Sequence, residues 1–225
     1  MPIISLAASK GGSGKSTLCM LIGSELAVMG LQTQILCADP QHSSWKWAER
    51  CKQLGRLPEN LSVQLVDHET QLQGHLNKAD QQDIVLIDPQ GALTSMLALS
   101  IVAADLSVAP CKASYMDAVE AQAVFGFAQN LRRSNMRLVL NDVKGIDQRT
   151  GAYRDAIGAI VRHKIPYFET VIQSRPVYAQ FSKDAGSLDN LNDGPAKAEQ
   201  IAKARANIGL LIKEIFALTG VTSDE

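Results

Sequence analysis

Ser9-Lys10-Gly11-Gly12-Ser13-Gly14-Lys15-Ser16-Thr17 is the stretch on which the reading of this chain turns. It follows an apolar run, Ile3 to Ala8, and precedes another, Ser16 to Met29, so a Gly-rich turn joins a buried strand to a helix. Glycines let backbone N–H groups approach phosphate oxygens, the helix N-terminus adds a favourable dipole, and Lys15 supplies charge to the β and γ phosphates of a nucleotide. Ser16 is placed to ligate Mg²⁺. Glycine turns also join strands to helices without binding anything. Three glycines, two lysines and a hydroxyl pair within nine residues, however, have no packing rationale. Position 9 holds serine where the ordinary Gly-x-x-x-x-Gly-Lys pattern has glycine, and Lys10 is an extra lysine.

Outward from this loop, apolar runs and helical patterns alternate. Gly30 ends the first helix, and a strand from Gln34 to Ala38 stops at Asp39-Pro40, where proline lacks a ladder donor. A helix through Trp45 to Leu54, a strand near Val63 to Val66, a helix over Thr70 to Lys78 and a strand from Asp83 to Ile87 ending on Asp88-Pro89 follow. Strands near 105–109 and 137–140 continue the alternation, and a helix from Pro195 to Leu218 closes it. This spacing predicts an α/β fold: one domain over 1–225, a twisted, mostly parallel sheet with helices on both faces, and a flexible tail at 220–225. The Gly-, Asp- and Asn-rich stretch 182–194 is expected to be a mobile connector. In open sheets of this kind ligands sit beyond the carboxyl ends of the strands, so Lys10, Asp39, Asp88 and Asn141 are expected to converge on one edge.

At 225 residues with 46% hydrophobic and 20% charged residues, the chain is long enough for a substantial core and has no disordered or fibrous bias. No apolar run reaches the length of a membrane span, and Met1 leads straight into a strand. Cys19, Cys37, Cys51 and Cys111 lack CxxC spacing, which points to reduced, buried thiols and a cytoplasmic setting. The net charge of −1 argues against wholesale polyanion binding, yet residues 132–164 carry eight Lys/Arg against three Asp/Glu. Solvated helix faces and a nucleic-acid footprint both account for that block.

The run Lys10-Gly11-Gly12-Ser13-Gly14-Lys15-Ser16-Thr17 resembles the deviant Walker A signature of the ParA and MinD family of P-loop ATPases. The resemblance covers nearly the whole chain. It implies an ATP hydrolase acting on ATP with Mg²⁺, in which Lys10 reaches the nucleotide of a second subunit so that ATP closes a homodimer. Asp39-Pro40-Gln41 resembles switch I, whose aspartate positions the attacking water and lies on the metal side. Ile84-Val85-Leu86-Ile87-Asp88 resembles Walker B, with Asp88 holding Mg²⁺ through water, and Leu138-Val139-Leu140-Asn141 resembles the strand whose terminal asparagine pairs with adenine. Pro166 to Ile172, with Arg175, Tyr178, Ala185 and Gly186, matches the family's C-terminal pattern flanking the adenine.

Two departures stand out. Close relatives often read Asp-x-Asp-Pro in switch I, and Cys37 occupies the first acidic position, which predicts slow hydrolysis; the resemblance implies that a partner stimulates it. After Asp88 the chain continues Pro89-Gln90-Gly91 in place of the commoner Thr-Pro, so no role carries over there. A lone Cys111 does not supply the two cysteines per subunit that the cluster of the related nitrogenase iron protein requires.

The closing stretch Ile212 to Leu218 has one lysine and a core-type apolar stripe, unlike the basic amphipathic end of MinD-like proteins, so no membrane partner is expected. Lys10 lies near the start, so no separate operator-reading domain is expected either. The compact ParA type remains: a cytoplasmic, nucleoid-associated dimer that binds non-specific DNA and is released by an adaptor or centromere-binding protein. Its expected task is segregating or positioning a cargo, plasmid DNA foremost. Arg132, Arg133, Arg137, Lys144, Arg149, Arg154, Arg162 and Lys164, with Lys197, Lys203 and Arg205, are candidate phosphate contacts. Trp45 and Trp47 after switch I also resemble the VirC1 branch, which serves conjugative DNA transfer; core or dimer packing accounts for them better than base stacking. A metabolic P-loop ligase of the dethiobiotin synthetase type is the alternative from another class.

Overall fold

The computed structural model describes residues 1–78 and 82–221. Six strands, β1 (Ile3–Leu6), β2 (Thr33–Ala38), β3 (Leu61–Leu65), β4 (Ile84–Pro89), β5 (Leu106–Cys111) and β6 (Met136–Leu140), form one sheet in the order β3-β2-β4-β1-β5-β6. Every pairing is parallel. Helices α1 (Lys15–Val28), α2 (Ser43–Gln53), α3 (Glu69–Leu76), α4 (Ser95–Ala103), α5 (Tyr115–Asn130), α6 (Gly151–Arg162), α7 (Pro176–Asp184) and α8 (Pro195–Thr219) cover it. This is the expected α/β architecture.

Strand residues alternate between two apolar layers, as the pleat requires. Ile4, Leu6, Ile35, Cys37, Ile84, Leu86 and Val139 face the core shared with α1, α2, α7 and α8. Leu36, Val85, Ile87, Leu138 and Leu140 face the opposite side, under α3 to α6. Helix α1 has no polar face, and Leu18 through Ala27 are all buried, because the sheet, α2, α7 and α8 enclose it.

Pro110 sits inside β5, yet costs no ladder bond. The carbonyl of Val108 accepts from Ala7 on the β1 side, so the missing N–H two residues on points where β1 has already turned into the glycine loop. At the other edge, the extended segment 166–174 shields β6 by exchanging backbone bonds with Leu138, Leu140 and Val143. Glu214 and Asn207 of α8 pin this strap by accepting from the N–H groups of Glu169, Thr170 and Gln173.

Three expectations need correction. The stretch 182–194 is anchored: Ala185 and Leu188 are fully buried, Trp47 Nε1 donates to the Ala185 carbonyl at 3.1 Å and Ser24 Oγ to that of Gly186 at 2.7 Å. A Cβ on Gly186 would lie 1.8 Å from the Arg56 carbonyl, so close backbone approach explains the glycine. Strand β1 ends at Leu6, before the expected Ala8. Of the expected tail, Gly220 caps α8 in a left-handed conformation and Val221 packs on the core; the rest, 222–225, lies outside the described residues.

Candidate functional site

The loop after β1 turns through left-handed Gly12 and Gly14, and Gly14 caps the N-terminus of α1. Side chains other than hydrogen are excluded at Gly14, where a Cβ would meet Asn141 Nδ2 at 2.3 Å. Asn141, at the end of β6, donates to the Ser13 carbonyl at 2.9 Å and so ties β6 to the loop. That bond uses one of its two N–H donors and leaves the amide oxygen open to accept from a ligand.

On one side of the loop the expected charged residues meet. Lys15, 6% exposed, places Nζ 2.6 Å from Asp88 Oδ1 and 3.7 Å from Asp39 Oδ2. Ser16 Oγ donates to the same Asp88 oxygen at 3.1 Å. Asp39 is braced by the Gln41 N–H at 2.8 Å. Asp88 is fully buried, and its second oxygen accepts from Ser44 Oγ of α2 at 2.9 Å. Ser16, Asp39 and Asp88 are hard oxygen donors of the kind Mg²⁺ takes. The lysine stands beside them as the anion-binding charge, so the donor chemistry fits a Mg²⁺-phosphate group.

Two cavities flank the loop. One of about 260 Å³ is lined by Lys10 to Thr17, Asp39, Gln41 and Gln90. The other, of about 470 Å³ and largely apolar, is lined by Gly14, Thr17, Leu21, Asn141, Ile172, Arg175 and Tyr178. They share Gly12 to Gly14 and Thr17, which suits a ligand with a polar phosphate end and a flat base. Ser13 Oγ and Arg175 Nε are buried without a partner among the described residues, the kind of orphaned donor a ligand satisfies.

Lys10 is the expected site residue that does not join this cluster. Its Nζ pairs with Asp117 Oδ1 at 2.8 Å and with Glu120 of α5 in the same chain. The hydrogen bonds it donates to these two carboxylates hold its pKa well above the ordinary lysine value. Burial alone would raise the Asp117 carboxyl, but bonds from Lys10 and Ser114 outweigh it and leave it below the usual range. Sequence reasoning missed Asp117 and Glu120, as well as Ser44 and Gly91. A Cβ on Gly91 would come within 2.6 Å of the Lys10 carbonyl, so the segment after Asp88 packs directly on the glycine loop. The other thiols and indoles are structural: all four cysteines are buried, with burial pushing Cys111 up to about 12, and Trp47 packs at 5.4 Å on Phe181.

A family model described as VirC1 protein matches residues 1–223. The chain belongs to the VirC1 family. It is similar to a protein named ParA from Rhizobium radiobacter, 26% identical over 221 residues and 96% of both chains. Among solved structures it resembles the ATP complex of Cyanothece McdA(D38A), with a TM-score of 0.73, 17% identity, and 99% and 98% of the two chains covered. It also resembles a putative plasmid partition protein of Borrelia burgdorferi B31 bound to AMPPNP, with a TM-score of 0.66, 17% identity, and 95% and 99% covered. The fold is thus that of the ParA and MinD class of P-loop ATPases, and ATP binding and hydrolysis are the general chemistry of that class.

The candidate DNA contacts divide. Arg205 is committed to Glu25 and Asp189, both at 2.8 Å, Lys203 to Glu199 and Lys197 to Gln180. None of the eight basic side chains of 132–164 has an ion pair among the described residues. No helix among them is long and apolar enough to cross a membrane.

Proposed function

We propose that this chain is an ATPase that binds ATP with Mg²⁺, closes a homodimer, binds DNA without sequence preference, and segregates or positions a cargo in the cytoplasm on the nucleoid. Plasmid DNA is the foremost cargo. The observation that carries the reading is the division of labour between the two loop lysines. Lys15 is buried on the metal side, while Lys10, at the edge of the same cavity, is half-exposed and is held by Asp117 and Glu120 of α5. A half-exposed lysine paired with α5 and not with Asp39 or Asp88 suits a contact to the nucleotide of a second copy.

In this reading Gly11 to Gly14 and the α1 N-terminus bind the phosphates, and Lys15 exchanges Asp88 for them. Ser16 and Asp88 would hold Mg²⁺, and Asp39 would orient the attacking water. When bound, Mg²⁺ neutralises charge on the β and γ phosphates. Asn141 accepts from the adenine amine, and Arg175 and Tyr178 line the base. The unpaired cations of 132–164 supply the DNA footprint, and an adaptor or centromere-binding partner stimulates hydrolysis. Membership of the VirC1 family favours a second reading of the cargo, a DNA-transfer intermediate in conjugation.

The test is binding to a random-sequence duplex with ADP, ATP or a non-hydrolysable analogue at two salt concentrations, for the wild type and Lys10→Ala. Analogue-dependent, salt-sensitive binding that is lost in the variant is expected. Absence of binding in every nucleotide state would sink the DNA model and favour a metabolic enzyme.

A further inference from the structure

We propose that Ser44 is a positioning residue for Asp88, locking the metal-side carboxylate to the helix that follows the 39–41 segment; this rests on the ATPase reading above. Asp88 is cut off from solvent, so its oxygens depend on fixed partners. Oδ1 holds Lys15 Nζ at 2.6 Å and Ser16 Oγ at 3.1 Å. These are the two groups that a Mg²⁺-nucleotide recruits away. Oδ2 has a single hydrogen-bond partner among the described residues, Ser44 Oγ at 2.9 Å. When the ligand takes Lys15 and Ser16, Ser44 is the contact that stops the carboxylate from rotating.

Ser44 is itself fully buried, the second residue of α2, and five residues after Asp39. Its bond therefore links the orientation of Asp88 to the start of α2, whose preceding residue, His42, already holds a left-handed φ of 55°. Position 37 completes the arrangement. Cys37 is the cross-strand partner of Asp88 in the β2–β4 register, and its thiol lies beside the Ser44 hydroxyl. A hydroxyl has one proton to donate. A carboxylate at 37 would compete for that proton and set a second buried negative charge beside Asp88, whereas the cysteine there leaves the Ser44 bond to Asp88 in place. Cys37 and Ser44 thus act together to keep a single, oriented carboxylate at the metal side.

The experiment titrates a fluorescent, non-hydrolysable ATP analogue into wild type, Ser44→Ala and Ser44→Cys, in chelator and at increasing Mg²⁺, with circular dichroism as the folding control. Loss of a partner that orients a metal-holding group weakens metal affinity by about 10–100-fold. The Mg²⁺ midpoint is expected to rise by about 10-fold in Ser44→Ala, with analogue affinity in chelator changed less than about two-fold, and Ser44→Cys, a weaker donor, falling between. A folded Ser44→Ala with an unchanged Mg²⁺ midpoint, or with equal losses in chelator and in Mg²⁺, overturns the proposal. Should Ser44→Ala not fold, Ser44→Cys decides by the same criterion. A wild type that binds no analogue overturns the ATPase reading itself, and the proposal with it.

Discussion

Replacing Asp88 by asparagine in the nucleotide-free protein, in chelator, isolates the charge of the Lys15–Asp88 pair from any role in holding a metal. The shapes of the two side chains match, so the change removes the charge and exchanges one acceptor oxygen, the one facing Ser44 when the other stays on Lys15, for an amide NH2. At 2.6 Å the pair's attraction is about 6 kcal/mol in an effective dielectric of about 20. Breaking a buried pair by removing one partner costs about 3–5 kcal/mol, because the remaining ion is left uncompensated. Here Lys15 keeps Asp39 at 3.7 Å, and asparagine still offers an acceptor. The expected loss is therefore about 2–4 kcal/mol, read by urea denaturation, or a Tm lower by about 6–12 °C for a loss near 3 kcal/mol at this chain length. The same reasoning fixes a second observable. A phosphate is the alternative anion for Lys15, so the variant should bind ADP in chelator several-fold more tightly than wild type, and the stability deficit should shrink when ADP saturates it. A loss below about 1 kcal/mol, the range of exposed pairs, would refute the argument. So would weaker ADP binding in chelator.

Gly91→Ala forces a methyl to within 2.6 Å of the Lys10 carbonyl, so nucleotide affinity should fall by about 10–100-fold while the circular dichroism spectrum is retained; wild-type affinity would show that the loop yields freely. For Lys10, the raised pKa means that its pairing contributes fully below the ordinary lysine value of 10.5 and is lost as pH rises through the folded value. The lowered Asp117 pKa means that its share is present above 3.8 and lost as pH falls through the folded value. The contact should therefore be constant between about pH 5 and 9. Asp117→Asn with Glu120→Gln should free the amine, raising its acylation rate near pH 9 by mass spectrometry. Arg205→Ala should cost about 1–3 kcal/mol by uncovering the buried Glu25 carboxylate and leave the salt slope of DNA binding unchanged, whereas Arg162→Ala should lower that slope by about 1.

The strands and the loop were legible because each carries its own local signal: a short apolar run, a glycine turn, a carboxylate just past a strand. Lys15, Ser16, Asp39 and Asp88 follow from that signal plus the rule that parallel strands end on one edge. What escaped depends on contacts between distant segments. Ser44 is one of two adjacent serines in a helix start, and only the tertiary packing of α2 against β4 shows which of them meets Asp88. The polar composition of 182–194 reads as a loose loop, yet Gly186 is there because Arg56 approaches it, and Leu188 fills the core. Arg205 looks identical to a surface cation until α1 presents Glu25 to it. The resemblance named the partner of Lys10 in a closed dimer, and the chain on its own places that lysine on α5.

The burial of α1 between the sheet and α2, α7 and α8 carries a consequence for where motion resides. Amides of Leu18 to Ala27 have no route to solvent short of global opening, so their hydrogen exchange should be among the slowest in the molecule and should report the full unfolding free energy. The phosphate loop is therefore mounted on an immobile post. Shape changes between nucleotide states are left to the segments suspended from the sheet's rim, 39–44 and 89–94, and those amides should exchange first and respond to ligand while α1 stays silent.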